Sequence, residues 1–426
     1  MNYDESLKYL DSLGKFGIHL GMERIQALLA ELGNPEKMVK TIHVTGTNGK
    51  GSVSSMIANI LLYSGLTVGK FTSPHFVRYN ERIEVNGKEV NNETFAMAHT
   101  AVARAVATVM ERGIAQPTQF EVLTAAGFLI FALEHVDYAV IEVGLGGLWD
   151  STNVIIPEVA VITNVSLDHM DRCGKTVEEI AMQKAGIIKE KVPVVTAATD
   201  DALGPIKAMS VFKQAPLYIF GKDFTGQEVI STMEGQTFTL SSGAYNSNYN
   251  IALPGAHQIA NTAVAVVAAK LVSKNDERIT EAALHEGVAN TKWPGRLERI
   301  GTKPDIILDG AHNPAGAQAL RAALDKYYTD KPINFIFGMM GDKAMSEVAN
   351  ILFKPGDKVY TVLADKGTRA ASAAQLAEIV GDKAVAYEEL NKAYDDALSA
   401  AGDTGIICIC GSLYLIGTFK ATFQKG

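Results

Sequence analysis

The stretch KTIHVTGTNGKGSVS, residues 40–54, has the residue types of a loop that binds phosphate. Its glycines let the backbone turn N–H groups towards an anion at the start of a helix, where Lys50 adds a positive charge and Ser52 a hydroxyl. The usual motif G-x-x-x-x-G-K-[ST] is not matched, because the hydroxyl comes one position late. The alternative is a glycine-rich turn without chemistry. The candidate nucleotide-binding residues are Gly46, Thr47, Asn48, Gly49, Lys50, Gly51 and Ser52.

A carboxylate and a histidine follow two apolar, strand-like runs. Glu142 lies at the end of the run 138–143 and precedes the turn GLGG. Parallel sheets bind ligands at the carboxyl ends of their strands, so Glu142 is a candidate Mg²⁺ ligand, or else it caps the helix that follows. His169 follows the run 159–165 at the same edge. Because nitrogen is a less natural donor to Mg²⁺ than oxygen, the residue type alone favours a structural role for His169.

Four other side chains are considered on their residue type and position alone. Lys184 precedes a glycine near the end of a helical pattern, and Arg296 lies in a segment rich in Pro and Gly, so each alone predicts a charge in solvent. Phe120 either stacks on a flat ligand ring or packs in the core. His312 opens a helical pattern after a strand-like run and is a candidate for a cleft between domains.

The elements that would position these residues alternate between strand and helix. The run 41–44 leads into the glycine loop, and apolar residues then recur at helical spacing until Gly65. Further strand-like runs at 138–143, 159–165 and 192–196 are separated by helix-sized segments. This alternation predicts a mostly parallel sheet of the phosphate-loop type, covered by helices, in an α/β fold.

The pattern changes after residue 216. The runs LYIF, FTLSS and NYNIAL, separated by polar turns, predict a small antiparallel section over 217–253, and helices are expected around 261–272 and 279–290. The segment KWPGRLERIGTKP, 292–304, marks a domain boundary. The strand and helix alternation then begins again, which predicts a smaller Rossmann-like α/β domain. The predicted domains are 1–295 and 296–426.

The composition restricts the class of protein. The chain has 426 residues, 47% of them hydrophobic and 20% charged, with a formal net charge of −8. This mildly acidic balance argues against nucleic acid or an anionic membrane as the main partner. No signal peptide opens the sequence, and the longest apolar run, 122–133, is shorter than the roughly 20 residues that span a bilayer, so a cytoplasmic protein with a buried helix there is expected. Cys173, Cys408 and Cys410 predict buried thiols.

The variant loop GTNGKGS resembles that of the Mur ligase superfamily, and within it the folylpolyglutamate and dihydrofolate synthases, which join glutamate to a folate or pteroate carboxylate using ATP. The resemblance covers nearly the whole chain. It includes TSPHFVRYNERI from Thr72, EVGLGG from Glu142, LDHMD from Leu167, KAGIIK from Lys184, HQIAN from His257, GRLE from Gly295, DGAHNP from Asp309 and GSLY from Gly411.

The resemblance implies roles that the residues alone do not. Ser73, Glu142 and His169 would bind Mg²⁺, and Lys184 would be carbamylated by CO₂, which turns a cation that repels Mg²⁺ into a carboxylate-like group. Asn261, Arg296 and Asp309 would contact ATP, with Arg296 entering from the segment between the domains. Lys50, Lys184 and His169 are the implied catalytic residues.

The acceptor site is implied in the same way. The segment TQFEV resembles the folate-contacting segment of the family, and the implied substrate-binding residues are Thr118, Gln119, Phe120, Glu121, Trp149, Asp150, Ser151 and His312. Many members continue EVGLGG with Arg-Leu-Asp, whereas Leu148, Trp149 and Asp150 follow here. At this point the chain therefore lacks the basic residue that would hold the pterin or its glutamate tail.

The expected activity is an ATP-dependent ligase that works through an acyl phosphate, with L-glutamate as the second substrate and a monomer as the expected state. A peptidoglycan-precursor ligase acting on a UDP-muramoyl substrate shares the architecture. The spacing of the loop argues against a kinase or GTPase, and a non-enzymatic nucleotide-binding module would bind ATP without turnover. The sequence leaves open whether dihydropteroate, a reduced folate or both are acceptors.

Overall fold

The computed structural model of the protein describes residues 1–14, 21–365 and 369–423. The described residues before the first strand include the α-helices α1 (Tyr3–Leu13) and α2 (Glu23–Glu31). Helix α1 begins with a capping box, in which the side chain of Asn2 accepts from the N–H of Glu5 and the Glu5 carboxylate accepts from the N–H of Asn2. Two N–H groups at the helix start are satisfied in this way.

The first large sheet has eight strands in the order β4-β3-β2-β5-β1-β6-β7-β8. At one edge β3 pairs antiparallel with both β2 and β4, and the other neighbours pair parallel. The elements are β1 (Lys40–Thr45), α3 (Lys50–Tyr63), β2 (Val68–Phe71), β3 (Ile83–Val85), β4 (Lys88–Glu89), α4 (Asn92–Glu111), α5 (Gln119–Leu133), β5 (Tyr138–Glu142), β6 (Val159–Ile162), α6 (Val177–Ala185), β7 (Val194–Thr196), α7 (Leu203–Phe212) and β8 (Leu217–Ile219).

The position of β1 in this order brings the site together. Strand β1 lies between β5 and β6, and all three run parallel. The loops that leave their carboxyl ends therefore meet at one edge of the sheet, where open α/β sheets bind ligands. These strands are buried on both faces, apart from the exposed first residue of β1, which explains their continuous apolar runs.

The apolar run 122–133 lies within α5, as predicted for a buried helix. Most of its side chains belong to the same hydrophobic core as residues of α1, α2 and α4. Helix α5 is apolar on nearly every side because it is buried in that core. None of the helices within the described ranges is both long and apolar enough to cross a membrane.

Three strands follow the first sheet, β9 (Thr225–Thr232), β10 (Gly235–Ser242) and β11 (Tyr245–Ile251), in the sheet order β11-β10-β9. Their two-residue connections require antiparallel neighbours. The prediction that LYIF belongs to this section is wrong, because β8 pairs parallel with β7. Helix α7 separates β7 from β8, and a helical crossover of this kind is what a parallel pair requires.

Helices α8 (His257–Val272) and α9 (Glu281–Ala289) come next. Helix α9 packs very closely on α3. A Cβ atom at Gly287 would lie 2.5 Å from Cα of Ile60. The missing side chain thus allows the two helix backbones to approach each other.

The C-terminal sheet has six strands in the order β12-β13-β17-β14-β15-β16, with β12 antiparallel at the edge and the others parallel. Its elements are β12 (Glu298–Thr302), β13 (Asp305–Asp309), α10 (Pro314–Tyr327), β14 (Asn334–Phe337), α11 (Met345–Leu352), β15 (Lys358–Thr361), α12 (Ala373–Val380), β16 (Ala384–Ala386), α13 (Leu390–Ala401), β17 (Ile406–Cys410) and α14 (Leu413–Phe423). The segment predicted as the domain boundary thus contains an edge strand.

The chain forms two compact units. The first comprises residues 1–226, 240–249 and 260–291, and the second comprises 227–239, 250–259 and 292–426. The first unit contains the eight-stranded sheet, and the second contains the six-stranded sheet. All three cysteines are free and buried, as predicted.

Candidate active site

The phosphate loop, residues 46–49, connects β1 to α3. Gly46 has a φ of 153° and Gly49 a φ of 82°, values that favour glycine. A Cβ atom at Gly46 would lie 1.8 Å from Oγ1 of Thr163. One at Gly49 would lie 2.6 Å from Oδ1 of Asn261, on α8. The structure therefore places Asn261, a predicted nucleotide contact, directly against the loop.

The segment after β6 fixes the conformation of this loop. The N–H of Thr47 donates to the carbonyl of Asn164 at 2.8 Å, and the N–H of Asn48 donates to the side-chain Oδ1 of Asn164 at 2.9 Å. In return, the Asn164 amide and the Thr163 hydroxyl donate to the carbonyl of Asn48, at 2.9 and 2.6 Å. Helix α3 begins directly after this fixed loop, at Lys50, and the start of a helix is where backbone N–H groups can bind an anion.

Lys50 and Lys184 converge on one carbonyl oxygen of the loop. Nζ of Lys184 donates to the carbonyl of Gly46 at 2.9 Å, and Nζ of Lys50 donates to the same oxygen at 3.1 Å and to that of Thr47 at 3.2 Å. Burial and the charge of Lys50 lower the pKa of Lys184 to about 7. Within the described residues neither lysine has a carboxylate partner, so an anionic ligand would complete their environment.

An open cleft with about 310 Å³ of empty space lies at these lysines. Its walls come from the phosphate loop, the turn after β5, the segment after β6 and α6. The lining residues are Thr45, Gly46, Thr47, Lys50, Val143, Gly144, Leu145, Gly146, Asp168, His169, Cys173 and Lys184. Three loops far apart in sequence therefore form one pocket at the carboxyl edge of the sheet.

The predicted metal ligands belong to three strands of the first sheet: Ser73 follows β2, Glu142 ends β5 and His169 follows β6. Glu142 is 3% exposed, and its carboxylate accepts from the N–H of Ser73 at 3.3 Å. His169 has a φ of 50°, and its side chain, 42% exposed, lies with Nε2 3.9 Å from Asp168. In the described parts of the chain, no three His, Cys, Asp or Glu side chains are grouped so as to hold a metal ion. Glu142 and Ser73 do supply neighbouring oxygen donors, which suit Mg²⁺ in kind.

Three of the four predicted TQFE contacts stabilise the start of α5. Thr118 caps the helix by accepting from the N–H of Glu121 at 3.3 Å, and the Glu121 carboxylate accepts from the N–H of Thr118 at 2.7 Å. Glu121 also pairs with Arg24 at 3.0 Å. The amide of Gln119 donates to a carbonyl of α1 and to a tyrosine hydroxyl. Their proposed contact with a substrate stays a prediction.

Phe120 is the member of this segment that packs against a residue of the cleft wall. A Cβ atom at Gly144 would lie 2.4 Å from Cζ of Phe120, and Gly144 lines the cleft. The ring centroid lies 6.0 Å from that of Phe71, in a tilted arrangement. The ring therefore packs on core residues and behind Gly144, and its stacking on a ligand ring stays a prediction.

The residues after the glycine turn differ in exposure. Trp149 is 46% exposed, whereas Asp150 and Ser151 are buried. Oδ2 of Asp150 accepts from the N–H of Leu145 at 2.8 Å, and Oδ1 accepts from the N–H of Thr152 at 3.0 Å and its hydroxyl at 2.6 Å. Burial raises the pKa of Asp150. Its carboxylate holds the glycine turn in place.

Arg296, Asp309 and His312 form a separate cluster in the second unit. Asp309 ends β13, and its carboxylate accepts from the N–H groups of Leu297 at 2.9 Å and Ala311 at 2.8 Å. Burial raises the pKa of Asp309, and the charge of Arg296 opposes that shift.

The two basic members of this cluster contact main-chain atoms. Nη1 of Arg296 donates to the carbonyl of Gly295 at 2.8 Å, and a Cβ atom at Gly310 would lie 2.4 Å from it. Nδ1 of His312 lies 2.8 Å from the carbonyl of Gly310. The structure thus groups the predicted residues in two sets, one in each unit.

Sequence reasoning missed several residues of the first set. Thr163 and Asn164 hold the phosphate loop, Asp168 lines the cleft beside His169, and Cys173 is a buried thiol that also lines it. A signal was present, because polar residues directly after a buried parallel strand point to the ligand edge of a sheet.

Comparisons with known proteins cover the whole chain. The Mur ligase middle domain family matches residues 44–269, and the Mur ligase glutamate ligase domain family matches residues 295–413. The chain is 36% identical over 431 residues to dihydrofolate synthase/folylpolyglutamate synthase of Bacillus subtilis, with 98% of each chain covered. It is 38% identical over 437 residues to folylpolyglutamate synthase of Lacticaseibacillus casei, with 100% of each covered.

Solved structures agree with these matches. Escherichia coli FolC in complex with DHPP and ADP superposes with a TM-score of 0.90 at 29% identity, over 100% of this chain and 98% of that one. Mycobacterium tuberculosis folylpolyglutamate synthase complexed with ADP superposes with a TM-score of 0.91 at 30% identity, over 100% of both chains.

Proposed function

The chain belongs to the Mur ligase superfamily, among its folylpolyglutamate and dihydrofolate synthases, and from this membership we propose that it adds L-glutamate to the carboxyl group of a folate with ATP as the phosphate donor. The observation that carries the proposal is the convergence of Lys50 and Lys184 on the phosphate loop, in a cleft whose wall residue Gly144 packs against Phe120. Similar proteins have been solved with ADP, and one also with DHPP.

The reaction has two displacements. An oxygen of the acceptor carboxylate attacks the γ-phosphorus of ATP, the bond to the β,γ-bridging oxygen breaks, and ADP leaves an acyl phosphate behind. The amino group of glutamate then attacks the acyl carbon, loses a proton, and phosphate leaves. Lys50 and the first N–H groups of α3 would neutralise the charge that grows on the phosphate oxygens during the first step.

Lys184 is proposed to carry a carbamate. Its neutral amine would attack CO₂, form an N–C bond and release one proton. The buried position and the pKa of about 7 support this step, because an amine that is partly neutral near pH 7 is the reactive form. Modification would also replace a second cation beside Lys50 with an anionic group.

Glu142, Ser73 and His169 are proposed to hold Mg²⁺, which would supply positive charge to the ATP phosphates when bound. Asn261 at the phosphate loop, and Arg296 with Asp309 in the second unit, are proposed nucleotide contacts. Trp149, Asp150, Ser151 and His312 are proposed to bind the acceptor or glutamate. The division into domains 1–295 and 296–426 stays a prediction.

The activity is tested by measuring ADP release from Mg-ATP and glutamate with different acceptors. We expect release only when a pterin carboxylate is present, because the acyl phosphate cannot form without it. Tetrahydrofolate and dihydropteroate are added separately, and the product is weighed by mass spectrometry. Extension of a glutamyl tail shows polyglutamylation, and one glutamate on pteroate shows dihydrofolate synthase activity. Release with a UDP-muramoyl substrate alone would overturn the folate assignment.

The carbamate is tested with Lys184→Ala. We expect this variant to lose nearly all ADP release and to regain part of it with short carboxylates that fill the emptied space. Lys189→Ala is the matched control, because Lys189 lies in the same motif and its Nζ donates to Asn153 outside the cleft. Full activity of Lys184→Ala, or native mass analysis showing an unmodified amine in active enzyme, would contradict the proposal.

A further inference from the structure

A buried chain of hydrogen bonds runs from β1 to the glycine turn, residues 144–147, that follows β5. Nε2 of His43 lies 2.9 Å from the hydroxyl of Thr152, and that hydroxyl donates to Oδ1 of Asp150 at 2.6 Å. The other carboxylate oxygen of Asp150 accepts from the N–H of Leu145, within the turn. All of the side chains in this chain are buried, so water does not compete for these bonds.

The donor and the acceptor in each of these buried hydrogen bonds follow from which atoms carry protons. Thr152 has one hydroxyl proton, which it gives to Asp150, so the hydroxyl oxygen accepts from His43. His43 therefore carries a proton on Nε2. Burial together with the charge of Lys189 lowers the pKa of His43 to about 3, so the ring is neutral. Thr152 is the one residue that both accepts and donates, which makes it the link that a substitution can cut.

A second bond ties the same turn to the same strand. The hydroxyl of Thr45 donates to the carbonyl of Gly146 at 2.7 Å. His43 and Thr45 are two residues apart in β1, so their side chains point to the same face of the sheet. Strand β1 thus holds the turn both at Gly146 and, through the buried chain, at Leu145, and it continues directly into the phosphate loop.

The turn lies between the two halves of the proposed reaction site. On one side, Gly144 is packed against the ring of Phe120. On the other, a Cβ atom at Gly147 would lie 3.1 Å from Cα of Lys184. A shift of the turn would therefore change the relative positions of the acceptor side and the phosphate side.

We propose that His43 and Thr152 are positioning residues, which fix the glycine turn through Asp150 and so set the acceptor carboxylate in line with the γ-phosphate at the phosphate loop. This inference rests on the proposed ligase function. No atom of His43 or Thr152 needs to touch a substrate for it to hold. Small displacements of reacting groups are known to reduce rates by large factors.

The test compares Thr152→Val with Thr152→Ser in the full chain. Valine has the shape of threonine but cuts both bonds, so we expect kcat/KM for the tetrahydrofolate acceptor to fall roughly 10- to 100-fold, while the KM for ATP changes by less than about threefold. Serine keeps the hydroxyl and should restore kcat/KM to within about threefold of the parent.

Thr196→Val is the matched control. Thr196 is also buried in the first sheet, and its hydroxyl donates to the carbonyl of Ile162 at 2.8 Å and accepts from the N–H of Ala198 at 3.0 Å. The Thr196→Val variant therefore loses two comparable hydrogen bonds at a place away from the glycine turn. We expect it to lower the melting temperature as Thr152→Val does, without the loss in kcat/KM.

The outcomes separate the two proposals. If the parent protein releases no ADP with any pterin acceptor, the proposed function is wrong. If the parent is active and Thr152→Val has the kcat/KM of Thr196→Val, the positioning role is wrong and the function stands. Should Thr152→Val fail to fold, His43→Gln, which keeps a donor, and His43→Leu, which removes it, make the same comparison. Equal kcat/KM for those two variants would overturn the inference.

Discussion

The ends of β1 and β13 show how two similar strand–loop–helix units differ. After β1, helix α3 starts at a glycine N-cap that has no side-chain hydrogen bond, and the nearby lysines donate to main-chain oxygens. After β13, the side chain of Asn313 caps α10 by accepting from the N–H of Gly316, and Asp309 accepts from two other N–H groups.

The loop after β1 is thus suited to bind an anion, whereas the loop after β13 is stabilised by side-chain oxygens of the protein itself. Lys50, the first residue of α3, and Lys184 line a cleft, whereas the N–H groups of Ala311 and Gly316 after β13 donate to side-chain oxygens of the protein. The fold alone therefore does not create a phosphate site, since both units are parallel α/β sheets. What creates one is a helix start without a side-chain cap together with nearby positive charge.

Lys50→Ala is expected to have the largest effect, because it removes one of the two amines at the phosphate loop. We expect ADP release to fall by about 10²- to 10³-fold, because Lys50 acts on charge that grows during transfer. Stability should change little, since Lys50 is half-buried and its amine donates to main-chain oxygens. Circular dichroism and ADP release are measured together, with the exposed Lys191→Ala as control. Near-normal release from a folded Lys50→Ala protein would remove this lysine from the mechanism.

Arg296→Ala tests whether the second cluster also serves the nucleotide. We expect kcat/KM for ATP to fall roughly 10- to 100-fold, because a planar guanidinium can hold two phosphate oxygens. Arg296→Lys should recover only part of the loss, since a lysine keeps the charge without the fork. Arg299→Ala is the control, because Arg299 lies three positions further on, in β12, and pairs with Glu234 at 2.7 Å. An unchanged kcat/KM in Arg296→Ala would limit that cluster to a structural role.

The pH dependence of the reaction with CO₂ tests whether Lys184 is the group that becomes carbamylated. With a pKa of about 7, the neutral fraction of its amine rises about tenfold between pH 6 and pH 8. Only the neutral amine attacks CO₂, so at constant dissolved CO₂ the rate of reactivation of CO₂-stripped enzyme should rise over this range and level off above it. An exposed lysine would continue to rise by about tenfold per pH unit up to pH 9. That continued rise, measured by the recovery of ADP release, would show that Lys184 is not the group that reacts.

The smallest effect is expected at α10, the helix that follows β13. Asn313→Ala removes the N-cap of α10 and should lower the free energy of unfolding by about 1 kcal/mol. Asn91→Ala, at the N-cap of α4, is the matched variant in the first unit, because its side chain accepts from the N–H of Thr94. Urea denaturation should give similar losses for both. A loss for Asn313→Ala several times that of Asn91→Ala would mean that its side chain does more than cap the helix.

Local patterns in the sequence were sufficient for much of the fold. The glycine loop, the helix after it and the buried strands were predictable, because their signals lie within a few residues. The spacing T-x-x-E from Thr118 to Glu121 is itself a helix-start signature, and the structure shows that capping box, although the sequence interpretation placed these residues at the substrate. The strand LYIF was assigned to the wrong sheet because a three-residue strand carries no information about its partner.

The sequence by itself determined which residues are able to bind phosphate, and the tertiary structure decided which of them act together. Gly46 and Lys184 are 138 positions apart, and they meet because β1 lies between β5 and β6 in the sheet. Burial then lowers the pKa of Lys184, a property that depends on surrounding atoms and not on residue type. The link from His43 to Asp150 arises in the same way, because hydrogen bonds between distant segments form only once the strands have set their register.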